Sequence, residues 1–339
     1  MSKKIFAAIG LMLFLSAPAF AEAESLPKKE LIFAPGLITS PHAPSIAEMP
    51  DGELFVVWHA SWFPKAVIMG SRKPAGSDKW TLPSVVNRTR KYGNKNPVLY
   101  LNKDKRLFLF WTEEKRLIFK VIRDKIRMKT SSDFGRTWDE PRDAGKLTWF
   151  LTRTHPVDLD DGRVILPIYT DLSTSSAAAI SKDGGFTWSG PKYLLFLFGI
   201  QPTIIQRSDS TLFALMRTGM WPRLAWQAIS YNRGQSWKDR RWSNIQNPGF
   251  SLEMIKLKSG NVALAFNDSK TDRSSLSLAL SCDEGRTWPY VRTIECKARH
   301  VYGYPSIIQD KRGLIHVVYS YDNRTSIAHF VTDEEWIKG

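Results

Sequence analysis

Four short segments of this chain share one pattern. Ser131, Asp133, Gly135, Thr137 and Trp138 recur as Ser181, Asp183, Gly185, Thr187 and Trp188, then as Ser230, Asn232, Gly234, Ser236 and Trp237, and again as Ser281, Asp283, Gly285, Thr287 and Trp288. The steps from Ser to Ser are 50, 49 and 51 residues. A near-constant period of this length marks a repeat architecture, in which one supersecondary unit stacks on copies of itself. The residue types have mechanical reasons. Asp or Asn folds its side chain onto nearby backbone N–H groups, Gly supplies a positive φ, and the hydroxyls close the turn. The Trp then packs as a large anchor. Asp133, Asp183, Asn232 and Asp283 are therefore read as structural residues of turns between strands, and a degenerate fifth copy runs from Ser71 to Trp80.

A second repeat lies upstream of each turn, where a polar residue and a Pro open an apolar run: His42-Ala43-Pro44, Asn96-Pro97, His155-Pro156, Gln201-Pro202, Asn247-Pro248 and Tyr304-Pro305. Each opening leads into two strand-like runs joined by a turn, namely 45–48 and 54–59, 98–101 and 107–111, 157–159 and 164–169, 203–206 and 212–217, 252–257 and 262–267, and 306–309 and 314–320. Asp51-Gly52 and Asp161-Gly162 are hairpin signals, and helical periodicity is nowhere sustained. About 53 residues per opening suits a four-stranded blade. The pattern predicts an all-β fold, a six-bladed β-propeller in one domain over residues 22–339. The last unit ends near Phe330 without a fourth strand, and the apolar run 31–34 is otherwise unassigned, so the N-terminal strand is expected to close the ring.

The first 21 residues have the layout of a secretory leader: Lys3 and Lys4, an apolar stretch from Ile5 to Leu15, and Ala19-Phe20-Ala21 as the cleavage site. Export to the periplasm or the medium is expected. Ser16 and Pro18 interrupt the apolar run before it can span a bilayer, and no second long run follows, so no integral membrane segment is expected in the mature chain. The 48 Lys and Arg against 33 Asp and Glu give a formal charge of +15. Such a surface attracts nucleic acid, anionic lipid or acidic polysaccharide. The basic residues are spread along the chain rather than gathered in an arm, which argues against nucleic acid. Cys282 and Cys296 are open to one disulfide or to two free thiols, and no Cys/His cluster has metal-ligand spacing, so no metal or cofactor is expected. His316 and His329 read as packed strand residues.

The Ser-x-Asp-x-Gly-x-Thr-Trp turns resemble the Asp boxes of sialidases and of the wider BNR-repeat propellers, and the whole-chain pattern is similar to the bacterial group of predicted neuraminidases. The resemblance implies a central funnel where three arginines bind a sialate carboxylate, a Tyr activated by a Glu attacks, and an Asp serves as acid and base. Arg217, ending the second strand of the fourth blade, matches the second arginine. Arg273 matches the third, and Tyr304 stands where the nucleophile opens the last blade. Three positions depart from the family. The first arginine is replaced by the His42-Ala43-Pro44 opening, the activating Glu by Gln201, and the stretch 58–65 holds no carboxylate to act as the acid.

In a propeller the openings of the innermost strands gather at one mouth. This places His42, Asn96, His155, Gln201, Asn247 and Tyr304 together, with Arg217 and Arg273 nearby. The candidate catalytic residues are Tyr304, His42 and His155. The candidate substrate-binding residues are Arg217, Arg273, Gln201, Asn96, Asn247 and Trp58, with Trp62 and Trp221 as further aromatics able to stack on sugar faces. Guanidinium groups pair with carboxylate, and imidazole exchanges protons near neutral pH, so the expected partner is an acidic glycan. Three activities fit: a sialidase-like exo-glycosidase, a His/Tyr-dependent lyase or hydrolase on uronate-containing polysaccharide, and a binding propeller without catalysis.

Overall fold

The computed structural model describes residues 26–61, 65–117 and 120–339; the leader over 1–21 and Trp62 lie outside the described residues. Six antiparallel sheets follow one another along the chain. Blade 1 is His42–Glu48, Leu54–Ala60, Val67–Lys73 and Ser84–Asn87. Blade 2 is Gly93–Leu101, Leu107–Leu117, Lys120–Ser131 and Arg142–Thr148. Blade 3 splits its inner strand into Leu151–Thr152 and Val157–Asp158, then continues with Val164–Thr170, Ser175–Ser181 and Lys192–Leu195. Blade 4 is Ile200–Gln206, Leu212–Arg217, Leu224–Ser230 and Lys238–Gln246, and blade 5 is Glu253–Lys256, Val262–Phe266, Ser275–Ser281 and Tyr290–Cys296. Blade 6 takes Gly303–Gln309, Ile315–Tyr321 and Ser326–Thr332 from the C-terminal end. Its outer strand is Lys28–Leu31 from the N-terminal end, paired Lys28 to Val331 and Leu31 to Ala328. The ring is thus closed by the N-terminal strand.

Six apolar clusters lie one between each pair of successive blades, including the pair formed by blades 6 and 1. A blade is therefore covered on both faces, which is why the second strands read as continuous apolar runs instead of alternating ones. Val164–Thr170 is buried at every position. The turn tryptophans contribute to these clusters: Trp188 meets Phe110 of the preceding blade edge to face at 5.7 Å, and Trp237 and Trp288 are buried in the next two junctions.

The turns themselves join third to fourth strands, on the face opposite the Pro openings. Ser131 Oγ donates to Asp133 Oδ1 at 2.7 Å and accepts from the Gly135 N–H at 2.7 Å. Asp133 in turn accepts from the Thr137 N–H at 2.8 Å and its hydroxyl at 2.6 Å. The turns at Asp183 and Asp283 repeat these bonds. Asn232 keeps the geometry by donating from Nδ2 to Ser236 Oγ at 2.8 Å, where an Asp would accept. Glycine is required at the fifth position: Gly285 has φ +86°, and a Cβ there would lie 2.7 Å from the Phe213 ring of the preceding blade.

Candidate functional site

Where the inner strands open, the backbone is strained in a repeated way. The residue before Pro lies in the left-handed region at Ala43 (φ 52°), Asn96 (47°), Gln201 (53°) and Tyr304 (54°), and each sits in a register shift between the first and second strands. Non-glycine residues at positive φ cost on the order of 1–3 kcal/mol, and such strain persists where surrounding structure over-determines it. The bulge places Asn96, Gln201 and Tyr304 in one hydrogen-bonded chain. Asn96 Nδ2 and Gln201 Nε2 donate to the Tyr169 hydroxyl at 3.0 and 3.3 Å. Arg217 Nη1 donates both to Gln201 Oε1 and to the Tyr304 hydroxyl, each at 3.1 Å.

Three guanidinium groups surround Tyr304. Arg217 touches its oxygen, Arg273 lies 5.6 Å from its ring centroid and Arg153 lies 5.4 Å from it. Burial pushes the phenol up, but the charge of Arg217, a hydrogen bond with Gln201 and the charge of Arg273 outweigh it and leave the group below its ordinary value of 10.0. Arg273 is itself carried on the Phe250 ring at 4.0 Å. Asn247 shapes the loop beneath: its Oδ1 accepts from Gly249 and Phe250 N–H at 3.1 and 3.2 Å, and its Nδ2 donates to the Phe250 carbonyl at 2.8 Å. With no exposed surface, Asn247 holds Phe250 and presents nothing to the funnel.

His42 packs on Tyr304 with ring centroids 4.1 Å apart and meets His59 edge to face at 5.4 Å. Ser320 Oγ accepts from the Ala43 N–H at 3.2 Å and lies 2.8 Å from His42 Nδ1. The pair shares one hydrogen, carried by Nδ1 or by the serine, and Nε2 is the ring nitrogen left for other partners. Burial, then the charges of His59, Arg324 and Arg153, hold His42 well below its ordinary value. His59 is held down to about 3 by burial and by Lys95, in keeping with its Nδ1 accepting from the Asn96 N–H at 3.2 Å.

Beneath the mouth lies a layer of buried charge that the sequence reading did not contain. Arg153 is 2% exposed and donates to Ser251 Oγ at 3.0 Å, to the Pro44 carbonyl at 3.2 Å and to the Pro305 carbonyl at 2.6 Å. One side chain of blade 3 thereby ties the openings of blades 1 and 6 and the segment entering blade 5. Glu253 accepts from His155 Nδ1 at 2.9 Å, from the His155 N–H at 2.6 Å and from the Ile307 N–H at 3.1 Å. His155 Nε2 lies 2.9 Å from the Ile46 carbonyl. Both ring nitrogens face acceptors, so His155 is an imidazolium: burial lowers it, and the Glu253 charge and bond raise it above its ordinary value. Ser45 Oγ, 3.2 Å from Nε2, completes the outline of a Ser-His-Glu triad. An imidazolium donating to a carbonyl cannot take the serine proton, and Ser45 is 1% exposed while accepting from the Leu99 N–H. The polar bonds of the His155 ring bind the blades together.

Trp58 is corrected by the structure. It has no exposed surface and stacks on Phe33 at 5.2 Å inside the blade 6 to blade 1 junction, so it cannot meet a sugar. The register gives the reason. Arg217 pairs with Ile200 as His59 pairs with His42, so the counterpart of Arg217 in blade 1 is His59, one residue later. Trp221, by contrast, is exposed. A carboxyl absent from the sequence reading stands at the mouth as well. Asp171 follows the second strand of blade 3 and is exposed at the rim, where partial desolvation by neighbouring groups raises its carboxyl although Arg217 and Lys95 act to lower it. The signal for Asp171 was available, since it ends the same kind of strand as Arg217. Arg153 was marked only by blade 3's longer opening.

The fold and its mouth define a six-bladed propeller with a cationic funnel centred on a phenol. Residues 52–317 match the BNR repeat-like domain, and the chain belongs to that family, as a sialidase-like BNR propeller. Among solved structures it is similar to the intramolecular trans-sialidase from Ruminococcus gnavus, at 14% identity over 91% of this chain and 98% of that one, with a TM-score of 0.75. The NanB sialidase from Streptococcus pneumoniae matches at 14% identity over 91% and 71%, with a TM-score of 0.73. A protein of unknown function from Dyadobacter fermentans matches at 16% identity over 90% and 97%, with a TM-score of 0.75. At these identities the likeness is one of fold. No curated protein matches the sequence.

Proposed function

We propose that the protein is an exo-acting glycosidase of the sialidase type that removes a terminal acidic sugar from a glycan. The observation that carries this reading is the seat of the Tyr304 hydroxyl, which accepts from Arg217 at 3.1 Å with Arg273 5.6 Å from the ring, charges that hold the phenol below its ordinary range despite burial. A buried phenol at its usual acidity is a poor nucleophile without a base. Here Gln201 stands where a Glu would supply one, and positive charge takes over the task of favouring the phenolate. Arg217 and Arg273 receive the sugar carboxylate, His42 hydrogen-bonds the sugar through Nε2, and Asn96 and Gln201 hold Tyr169 and Arg217 in place. Tyr304 oxygen bonds to the anomeric carbon as the bond to the leaving oxygen breaks, and Asp171 passes its proton to that oxygen. Water, deprotonated by Asp171, then displaces Tyr304.

Elimination on uronates needs an imidazole free to accept a proton. His155 is committed on both ring nitrogens to Glu253 and Ile46, which removes one of the two candidate histidine bases of a lyase and leaves only His42 for that role. A cleaved leader over residues 1–21, a single domain over 22–339 and export belong to the same proposal. Among the described residues no helix is long and apolar enough to cross a membrane. The test is a depolymerisation screen over sialylated and uronate-rich glycans with wild type, Arg217→Ala and Tyr304→Phe. Free sialic acid from wild type alone supports the reading. The ultraviolet absorbance of an unsaturated uronate would replace it with the lyase, and binding without turnover with a lectin-like role.

A further inference from the structure

The two faces of the ring differ in what they expose. First-to-second strand hairpins, on the face away from the funnel, are polar at their tips, as in Asp51-Gly52, Asp160-Asp161-Gly162 and Lys311-Arg312-Gly313. The loops around the mouth carry large apolar side chains instead. Trp221 is 85% exposed, Leu172 79% and Phe196 64%, with Phe198, Met220 and Trp149 also exposed. Leu82, 83% exposed near the outer strand of blade 1, and Tyr231, 62% exposed in the turn of blade 4, are counterexamples on the far face.

These tips are held, not frayed. The Leu197 N–H donates to Ser175 Oγ at 3.0 Å and the Phe198 N–H to Thr174 Oγ1 at 3.1 Å, which fixes the 196–198 loop beside the hairpin bearing Leu172. Leu197 and Phe198 both adopt positive φ, 67° and 68°, so backbone strain is maintained to present apolar groups to solvent. Exposed apolar groups gathered on one face mark an interaction site.

Charge identifies the occupant. The second-to-third strand loops on this face balance Asp171, Asp268, Asp272 and Asp322 against Arg223, Lys270, Arg273 and Arg324, whereas the connectors that lead from blade to blade, 88–92, 149–150, 196–199, 247–252 and 297–302, contain Arg88, Arg90, Lys91, Lys297 and Arg299 and no Asp or Glu. All five basic side chains of the connectors are exposed. Aromatic and aliphatic tips on separate loops, set among basic side chains, are the signature of insertion into the headgroup region of an anionic bilayer. A protein partner would instead call for one continuous, well-packed patch. We propose that the mouth face docks on an anionic phospholipid membrane, with Phe196, Phe198, Trp221 and Leu172 inserted and the basic connectors on the headgroups. Docking in this way turns the funnel toward sugars carried at the membrane surface. The inference does not depend on the glycosidase reading, because binding is measured without substrate.

The test is flotation of the protein with phosphatidylglycerol-containing vesicles and with pure phosphatidylcholine vesicles, at low and high salt. Wild type should float with the anionic vesicles and lose at least tenfold in partition on pure phosphatidylcholine or at high salt. The variant Phe196→Ser/Phe198→Ser/Trp221→Ser should lose at least tenfold at unchanged thermal stability, as should Arg88→Gln/Arg90→Gln/Lys91→Gln. The single change Trp221→Ser, at the most exposed site, guards against misfolding of the triple variant and should weaken partition severalfold. Leu82→Ser on the other face should change nothing. No flotation with anionic vesicles, or undiminished flotation of both apolar variants, would overturn the proposal. So would a concentration-dependent dimer abolished by the triple variant, because that would assign the face to a second copy of the chain.

Discussion

Replacing Arg153 by Met should unfold the centre of the propeller more than any surface change, and the structure gives the size of the effect. The guanidinium is 2% exposed and makes three hydrogen bonds, to Ser251 Oγ, the Pro44 carbonyl and the Pro305 carbonyl. Methionine fills much of the volume but donates nothing, so three buried acceptors lose their partner and Glu253 keeps only His155 as a countercharge. Removing one member of a buried charge network typically costs about 3–5 kcal/mol, against a total stability on the order of 5–15 kcal/mol. Urea denaturation of Arg153→Met should therefore show a midpoint far below that of wild type at an unchanged slope. Arg153→Lys should recover only part of the loss, since an ammonium cannot span the three acceptors as a planar fork does. Two of the bonds end on the carbonyls flanking the bulged openings of blades 1 and 6, so the near-ultraviolet signal of the Tyr304 surroundings should change in the still-folded variant. A loss under about 1 kcal/mol would refute the reasoning, by showing that the guanidinium is hydrated or that its acceptors find other donors.

Other expected outcomes are equally open to measurement. Trp58→Ala removes a fully buried indole from the blade 6 to blade 1 junction and should cost about 3–5 kcal/mol in urea denaturation, whereas a sugar-contacting Trp would give a change in KM with little loss of stability. Arg217→Gln leaves Tyr304 without its nearest charge, so the phenol rises. Activity that needs the ionised phenol appears only above the folded-state pKa, and the acidic limb of the pH–rate profile should move toward alkaline pH. Turnover near neutrality should fall on the order of 100-fold. His59 is half-buried and neutral, with a folded value of about 3. Below pH about 6.5 the unfolded chain takes up a proton that the folded chain refuses, and stability should fall by about 1.4 kcal/mol per pH unit as acid is added. His329, held down to about 4, acts in the same sense, and His155, which is raised, acts in the opposite one. The difference between wild type and His59→Gln in stability from pH 7 to pH 5 isolates the first term, and parallel curves would contradict the assignment.

The blades were legible because turn chemistry is local. A Ser, an Asp, a Gly, a Thr and a Trp at fixed offsets are required by bonds that close within the same few residues, and the period between them sets the blade count. Ring closure could be read from a missing fourth strand at one end and a spare apolar run at the other. The site was legible only where it reuses the repeat. Tyr304, Gln201 and Asn96 open strands, and the same bulge carries all three into one hydrogen-bonded chain. Asn247 precedes a strand too, yet its amide is consumed by its own loop and by the Thr218 N–H. Trp58 failed because second strands are apolar on both faces, so parity gives no sign of which residue reaches the mouth. Arg153 reaches Ser251, and His155 reaches Glu253, from a blade about 100 residues away, and no local pattern announces a contact of that kind. The His-Pro opening marks His155 in the sequence, but its partners come from blades 1 and 5, and they convert a candidate base into a fixed cation.

The central claim is that Tyr304 is a nucleophile made competent by arginines in place of a carboxylate base. Its most direct test is to incubate the protein with a 2,3-difluorinated sialic acid, which slows release of the sugar from an attacking tyrosine, and to map any adduct by peptide mass spectrometry. The account predicts a single glycosylated peptide with the sugar on Tyr304, absent in Tyr304→Phe and strongly reduced in Arg217→Gln. An unmodified Tyr304 in a protein that nonetheless releases sialic acid from a natural substrate would contradict it.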